Sequence, residues 1–176
     1  MRIKRIEEFN LSNRANKAVI ALLSECFSAY PSGQSFYKQI PSFRFLAYDD
    51  KVLVGHLAVH FRMMNIGGLT ANIFGVSDLC VSSDRRSKNI ATSLLTELEN
   101  LGTKNKIDFL ILVAQDHGLY TKNGFKVVDN TCRWLLINGH QSLGVMHGQL
   151  KRCIMMKAIG DKKWQDGILD FLGPVF

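Results

Sequence analysis

The sequence predicts a mixed α/β domain of the α+β class, because helical and strand patterns follow one another along its 176 residues. An apolar stripe at helical spacing runs through residues 13–30. The run IDFLILVA, residues 107–114, is continuously apolar and of strand length, which is typical of a strand buried on both faces. Further strand-length segments, bounded by turn residues, precede and follow this run. Such a mixture indicates a sheet with helices packed on it.

Each predicted element has its own signal in the chain. In order, the elements are a helix over 13–30, a loop or short helix over 31–41, strands over 43–48, 52–66 and 69–83, a helix over 88–101, a strand over 107–114, a short helix over 115–123, and strands over 125–129, 132–138 and 151–159. Gly102 and Gly124 are the helix stop signals, and Gly75 marks a kink or bulge. We expect the apolar groups of residues 164–176 to pack on the domain, with a partner surface as the alternative.

The length favours a single domain, residues 1–176, with one sizeable core. No apolar run approaches the roughly 20 residues that span a bilayer, and the cationic N-terminus lacks the apolar segment of a signal peptide. The cysteines, at positions 26, 80, 132 and 153, are widely spaced and form no C-x-x-C. We therefore expect a cytoplasmic protein with reduced thiols, without a metal site and without a membrane partner.

The net charge of +7 favours an anionic partner, which could be nucleic acid, a membrane surface or a phosphorylated small molecule. The stretch DRRSKNIATSLL places Arg85, Arg86 and Lys88 between a strand that ends at Val81 and the start of a helix. The first backbone N–H groups of a helix have no internal partners, and the helix dipole adds partial positive charge there. The arrangement suits a bound diphosphate, and a solvated basic surface is the alternative.

The stretch VSSDRRSKNIATSLL, residues 81–95, resembles the acetyl-CoA-binding motif of the GNAT superfamily of N-acetyltransferases. The core of that motif is Gln/Arg-x-x-Gly-x-Gly/Ala, and it corresponds here to Arg86 through Ala91. Asn89 stands where the family usually has glycine; asparagine tolerates unusual backbone angles but adds bulk beside a phosphate. The resemblance implies that acetyl-CoA contacts Leu79, Cys80, Val81, Arg86, Ser87, Lys88, Asn89, Ile90, Ala91 and Thr92.

A second stretch, LYTKNGF at residues 119–125, resembles the family's L-Y-x-x-x-G-F. The resemblance, which covers residues 43–128, implies that Tyr120 is the general acid that protonates the departing CoA thiolate. A packed core tyrosine is the alternative. The asparagine that often precedes this helix in the family is absent, because Val113 and Ala114 occupy that region.

The sequence does not assign the general base to a single residue. An attacking amine is mostly protonated at neutral pH, so a carboxylate, a histidine or ordered water must accept its proton. Many relatives carry glutamate where this chain has Ser77, which places Ser77 at the substrate. Asp78 is a candidate base, although strand alternation sends it to the face opposite Ser77 and Leu79. His56 and His60 share one strand face; we expect His56 at the substrate, and buried structural histidines are the alternative.

The family's direct transfer also implies that a backbone N–H of the bulged strand, at Leu79 or Cys80, stabilises the oxyanion. Cys80 is then a small core residue and not a nucleophile.

Taken together, the resemblance implies a GNAT fold with a twisted mixed sheet of about seven strands and helices on both faces. It further implies an acetyl-CoA-dependent N-acetyltransferase that acts on a primary amine of a small molecule. The pattern is loosely similar to aminoglycoside 2'-N-acetyltransferases and nodulation-type N-acyltransferases, which favours an amino sugar. A non-catalytic acyl-CoA-binding module and a basic nucleic-acid-binding domain are the alternatives, and no nucleic acid is expected as partner. The late strands allow a homodimer without deciding it.

Overall fold

A computed structural model describes all residues from Met1 to Phe176 and contains ten strands and three α-helices. The chain forms two compact units, one of residues 1–59 and 77–98 and the other of residues 60–76 and 99–176. The elements are β1 (Arg2–Glu7), α1 (Asn13–Cys26), β2 (Phe43–Asp49), β3 (Val52–Ile66), β4 (Leu69–Val81), α2 (Ile90–Lys104), β5 (Phe109–Val113), α3 (Gly118–Lys122), β6 (Lys126–Val127), β7 (Thr131–Asn138), β8 (Gln141–Gly148), β9 (Ile154–Ala158) and β10 (Ile168–Asp170). None of the helices is long and apolar enough to cross a lipid bilayer.

In the first unit, helix α1 packs on one face of the strands. Strand β2 pairs antiparallel with β1 on one side and with residues 52–59 of β3 on the other. The side chain of Ser12 caps α1 by accepting a hydrogen bond from the backbone N–H of Ala15, at 3.2 Å. The apolar stripe of α1 then joins the strands in a buried cluster of Val19, Leu22, Leu23, Leu46, Leu53 and Cys80.

Helix α2 packs on the opposite face of the same strands. Ala47 follows Leu46 in β2, so its side chain points away from the α1 cluster. On this second face Gly55 meets the first turns of α2, because a Cβ at Gly55 would lie 2.8 Å from a methyl carbon of Ile90 and 3.3 Å from one of Leu94. The lack of a side chain at Gly55 allows this close approach.

The second unit contains a mixed sheet in the order β6-β9-β5-β4-β3-β10-β7-β8. Parallel pairing joins β4 to β5, from Ile73 opposite Phe109 to Val76 opposite Leu112, and β10 to β7. The pairs β5–β9, β6–β9, β3–β10 and β7–β8 are antiparallel. The core of this unit consists of Met64, Ile66, Ala71, Ile73, Phe109, Ile111, Cys132, Ile154, Leu169, Phe171 and Val175.

The predicted mixed α/β class is confirmed, but there are ten strands and not about seven. The sequence reading missed β1, β8 and β10. Helix α2 also continues through Gly102 to Lys104, so Gly102 is not its stop signal. A Cβ at Gly102 would lie 2.4 Å from Ile159, which shows that this glycine serves close packing.

Gly75 lies under the ring of Phe176, and the C-terminal tail packs on the second unit as expected from its apolar composition. A Cβ at Gly75 would lie 2.0 Å from a ring carbon of Phe176. The same ring lies 5.7 Å from that of Phe171, between centroids, and 4.2 Å from the Arg62 guanidinium. Gly75 is therefore a packing position.

Gly75→Ala should lower the free energy of unfolding by about 1–3 kcal/mol, since the added methyl must displace the Phe176 ring. Chemical denaturation measures the change. Gly148→Ala is the matched control, because the nearest atom to its Cβ is 4.0 Å away. Equal losses in the two variants would show that the Phe176 contact is unimportant for stability.

Candidate active site

Strand β4 contains a left-handed residue near its end. Asp78 has φ = +52°, a conformation that a non-glycine residue adopts at a cost, although aspartate tolerates it better than most. Such a residue interrupts the regular alternation of a strand. The alternation that the sequence suggested for Ser77, Asp78 and Leu79 therefore does not hold at this point.

A fully buried arginine is linked to the backbone of Asp78 through His56. Arg44 of β2 is 0% exposed, and its Nε and Nη2 donate to the two carboxylate oxygens of Glu8 at 2.6 and 2.9 Å. Its Nη1 donates to the backbone oxygen of Ser35 at 2.8 Å and to Nε2 of His56 at 2.9 Å. The bidentate contact with Glu8 fixes the plane of the guanidinium.

The contact with Arg44 determines the tautomer of His56. A guanidinium can only donate hydrogen bonds, so Nε2 of His56 must accept and Nδ1 must carry the proton. Nδ1–H then donates to the backbone oxygen of Asp78 at 2.8 Å. Burial, together with the charge of Arg44, lowers the pKa of His56 to about 3. His56 is neutral with both nitrogens bonded to protein, so this geometry does not support the substrate contact predicted for it.

The neutral state of His56 makes stability depend on pH. The folded-state pKa of about 3 is below the ordinary value of 6.5, so the stability linked to neutral His56 is fully present above pH 6.5 and lost as the pH falls toward 3. We expect His56 alone to lower the free energy of unfolding by up to about 1.4 kcal/mol per pH unit in this window. Urea denaturation from pH 7.5 to 4.5 measures the slope.

His56→Asn should flatten that slope, because asparagine does not titrate. The exposed His147 provides the control, and His147→Asn should retain the slope of the parent protein. Parallel slopes in all three proteins would contradict a neutral His56.

The carboxylate of Asp78 has a different partner. The hydroxyl of Tyr30 donates to Oδ2 of Asp78 at 2.9 Å. Burial raises the pKa of Asp78 above its usual value, while the Tyr30 bond and the charge of Arg44 act in the opposite direction. The raised pKa makes this carboxylate a stronger base than an exposed aspartate.

The turn before α2 has the backbone shape of an anion cradle. Ser87 and Asn89 have φ values of +63° and +58°, so the asparagine adopts the left-handed conformation for which the family uses glycine. Helix α2 starts at Ile90, and the backbone N–H of Ser93 donates to the oxygen of Asn89 at 2.9 Å. The amides of residues 90–92 precede this bond at the positive end of a 15-residue helix.

The three cations at this turn differ in their surroundings. The guanidinium of Arg85 lies 3.3 Å from the carboxylate of Asp49 and 3.4 Å from that of Asp84. Arg86 and Lys88 are exposed. The turn therefore offers two solvent-facing cations together with the helix N-terminus, which suits a diphosphate.

Tyr120 lies in α3, within the second unit. Its ring is 5.9 Å from that of Phe125 in an edge contact, and its backbone oxygen accepts hydrogen bonds from Asn123 and Phe125, both at 3.0 Å. Gly124, at φ = +84°, makes the tight turn that these bonds require. Burial, then the charge of Asp116, raises the pKa of Tyr120, so the phenol keeps its proton at neutral pH.

A sequence model described as an acetyltransferase (GNAT) domain matches residues 10–128. This chain belongs to the GNAT acetyltransferase family. The two motifs found in the sequence agree with this membership. No curated protein sequence matches the chain.

Solved structures support the GNAT fold. The GNAT family N-acetyltransferase YhbS from Escherichia coli, in complex with CoA, has a TM-score of 0.65 and 16% identity. The match covers 97% of this chain and 89% of that one. An aminoglycoside 6'-N-acetyltransferase complexed with coenzyme A has a TM-score of 0.61 and 19% identity, and the match covers 93% of this chain and 99% of that one. Eis1 from Mycobacterium abscessus has a TM-score of 0.62 and 13% identity over 76% of this chain. The chain spans 33% of the length of Eis1.

Most of the predicted GNAT site residues belong to the first unit. They are His56, Ser77, Asp78, Leu79, Cys80, Val81, Arg86, Ser87, Lys88, Asn89, Ile90, Ala91 and Thr92. Cys80 is buried in the α1 cluster, and burial raises the pKa of its thiol, as suits the predicted core residue.

The sequence reading missed Arg44 and Tyr30. Arg44 had a visible signal, since it is a cation inside the apolar strand FRFLAYD. Tyr30 had none, because its contact with Asp78 joins residues 48 positions apart.

Proposed function

We propose that the protein transfers an acetyl group directly from acetyl-CoA to a primary amine of a small molecule. The observation that carries the proposal is the left-handed turn at Ser87 and Asn89, which precedes the N-terminus of α2 in a GNAT chain. Two of the structural neighbours are complexes with CoA. The buried hydroxyl of Ser82, five residues before Ser87, has no partner within the protein, and a bound ligand would supply one.

The first unit would hold the cofactor through its backbone and its cations. The amides of residues 90–92 would donate to the diphosphate, and Arg86 and Lys88 would neutralise its charge. A backbone N–H at Leu79 or Cys80 would stabilise the negative charge that develops on the thioester oxygen. Acetyl-CoA supplies an activated acyl group, so the chemistry requires no covalent bond to the enzyme.

Asp78 and Tyr120 would move the two protons of the reaction. The amine nitrogen attacks the thioester carbon, and Asp78 accepts the proton that the nitrogen loses. When the carbon–sulfur bond breaks, Tyr120 donates its proton to the thiolate, which leaves as CoA thiol. The raised pKa of Asp78 makes it a stronger base, and the raised pKa of Tyr120 keeps the proton on the phenol until the thiolate forms.

The surroundings of Asp78 support a cationic amine as acceptor. The rings of Phe27 and Tyr30 are stacked with centroids 5.9 Å apart, and those of Tyr30 and Tyr37 lie 6.4 Å apart. Phe27 and Tyr37 are exposed, so this row of rings leads from solvent to the carboxylate. Aromatic faces attract ammonium groups, and a ring-shaped substrate body, such as an amino sugar, can stack on them.

Calorimetric titration tests the cofactor half of the proposal. Acetyl-CoA and CoA should bind with dissociation constants in the micromolar range. Comparing CoA with dephospho-CoA, and low salt with high salt, measures the contribution of phosphate charge to the affinity. Asn89→Gly should bind acetyl-CoA at least as tightly, whereas Asn89→Val should bind more weakly because a β-branched residue resists a φ of +58°. No binding at millimolar acetyl-CoA would refute the proposal.

A panel of amines with detection of released thiol tests the acceptor half. The panel contains amino sugars, arylalkylamines, aminoglycosides and amino acids, each with a matched N-acetylated control. Amine-dependent release of CoA is the expected result. Binding of acetyl-CoA without turnover of any amine would favour a non-catalytic acyl-CoA-binding module, for which the serine at position 77 is the supporting observation.

A further inference from the structure

We infer that Arg44 and His56 are positioning residues that direct the backbone N–H of Leu79 toward the oxyanion. The inference rests on the proposed acetyl transfer and adds which amide is the donor and what orients it. Neither side chain would touch the substrate, since both are 0% exposed.

The direction of the Leu79 amide follows from peptide geometry. The oxygen of Asp78 and the N–H of Leu79 belong to the same trans peptide, in which C=O and N–H point in opposite directions. Nδ1–H of His56 holds that oxygen at 2.8 Å. The Leu79 N–H must therefore point away from His56.

The orientation of His56 is itself fixed. Its Nε2 accepts from Arg44 at 2.9 Å, and Arg44 makes three further hydrogen bonds to Glu8 and Ser35. Every member is a buried or partly buried polar group with a partner, so moving any of them leaves another one unsatisfied. The Arg44–Glu8 ion pair thus fixes His56, and His56 fixes the peptide that follows Asp78.

The peptide needs this restraint because Asp78 is left-handed. At φ = +52° the residue is less stable than in an extended strand, so relaxation would lower the conformational energy of the backbone. Rotation of the 78–79 peptide plane would exchange the directions of its oxygen and its N–H. The His56 bond opposes that rotation, and without it the donor is lost from the place where charge develops.

Two substitutions at position 56 separate this role from a packing role. In His56→Asn, the amide nitrogen occupies the place of Nδ1 and can still donate to Asp78. In His56→Leu, the volume is kept and the donor is removed. We expect His56→Leu to lower kcat by about 100-fold with KM for acetyl-CoA changed by less than about threefold, and His56→Asn to keep kcat within about fivefold. Equal kcat losses in two folded variants would overturn the inference.

A binding measurement tests the same amide without an acceptor. Protein labelled with ¹⁵N-leucine is titrated with acetyl-CoA and with S-ethyl-CoA, a thioether that lacks the carbonyl. The Leu79 amide proton should move downfield with acetyl-CoA more than with S-ethyl-CoA in the parent protein and in His56→Asn, and the difference should vanish in His56→Leu. If His56→Leu does not fold, identical Leu79 shifts for the two ligands in the parent protein would still overturn the inference.

The outcomes distinguish the two proposals. A carbonyl-dependent Leu79 shift in a protein that acetylates no amine would refute the proposed function and keep the positioning role. Turnover of an amine with identical Leu79 shifts for the two ligands would refute the positioning role and keep the function.

Discussion

Tyr120→Phe should lower turnover by about 100-fold or more while leaving the affinity for acetyl-CoA within about twofold. The substitution removes the phenolic proton but keeps the ring that packs edge-on against Phe125. Steady-state kinetics with the best amine of the panel, together with calorimetry, measures both quantities. Tyr48→Phe is the matched control, since Tyr48 is also a partly buried tyrosine of raised pKa and has no assigned role in the reaction.

The pH profile gives a second test of Tyr120. Burial raises its pKa above the usual value of 10, so loss of its proton should not limit the rate anywhere below pH 10. Turnover in Tyr120→Phe that equals the parent rate would remove Tyr120 from the role of acid.

Asp78→Asn should lower kcat/KM by about 100-fold or more and remove the acid limb of the pH–rate profile. The amide cannot accept a proton, but its oxygen can still accept the hydrogen bond of Tyr30. In the parent protein the rate should fall as the pH drops through the raised pKa of Asp78, because the protonated group is no longer a base. A variant with the parental acid limb would assign the base elsewhere.

The same substitution should raise stability at neutral pH. Because burial raises the folded-state pKa of Asp78 above its unfolded value, the folded protein is most favoured where Asp78 is protonated, below the unfolded pKa. That advantage is lost as the pH rises through the folded pKa, so at pH 7.5 the charged group destabilises the fold. Asp78→Asn should therefore have a higher Tm than the parent at pH 7.5. Asp129→Asn, at an exposed aspartate without this burial, should leave Tm unchanged.

The local parts of the site could be predicted from the sequence. The turn at Arg86–Ala91 is local, because adjacent residues supply the cations, the left-handed asparagine and the helix start. Tyr120 and Gly124 likewise form one short motif whose hydrogen bonds lie within six residues. In both places the chemistry depends on neighbours in the chain, so a single sequence contains the necessary signal.

The rest of the site depends on distant contacts. Arg44, His56 and Asp78 lie on three strands, and Glu8 and Ser35 come from still other segments. Strand alternation failed at Asp78 because its positive φ interrupts the pleat, which no rule of residue spacing signals. Strands β8 and β10 were missed because the first is exposed on both faces and the second has three residues.

The carboxylate that pairs with Arg44 lies outside the residues that match the family. The family match begins at residue 10, whereas the carboxylate that neutralises Arg44 belongs to Glu8. A shortened protein that starts at residue 10 would keep both motifs and lose the counterion of a cation with no access to water. Leaving such a charge unpaired costs about 3–5 kcal/mol. A boundary drawn from family resemblance alone would thus cut away a residue that the interior requires.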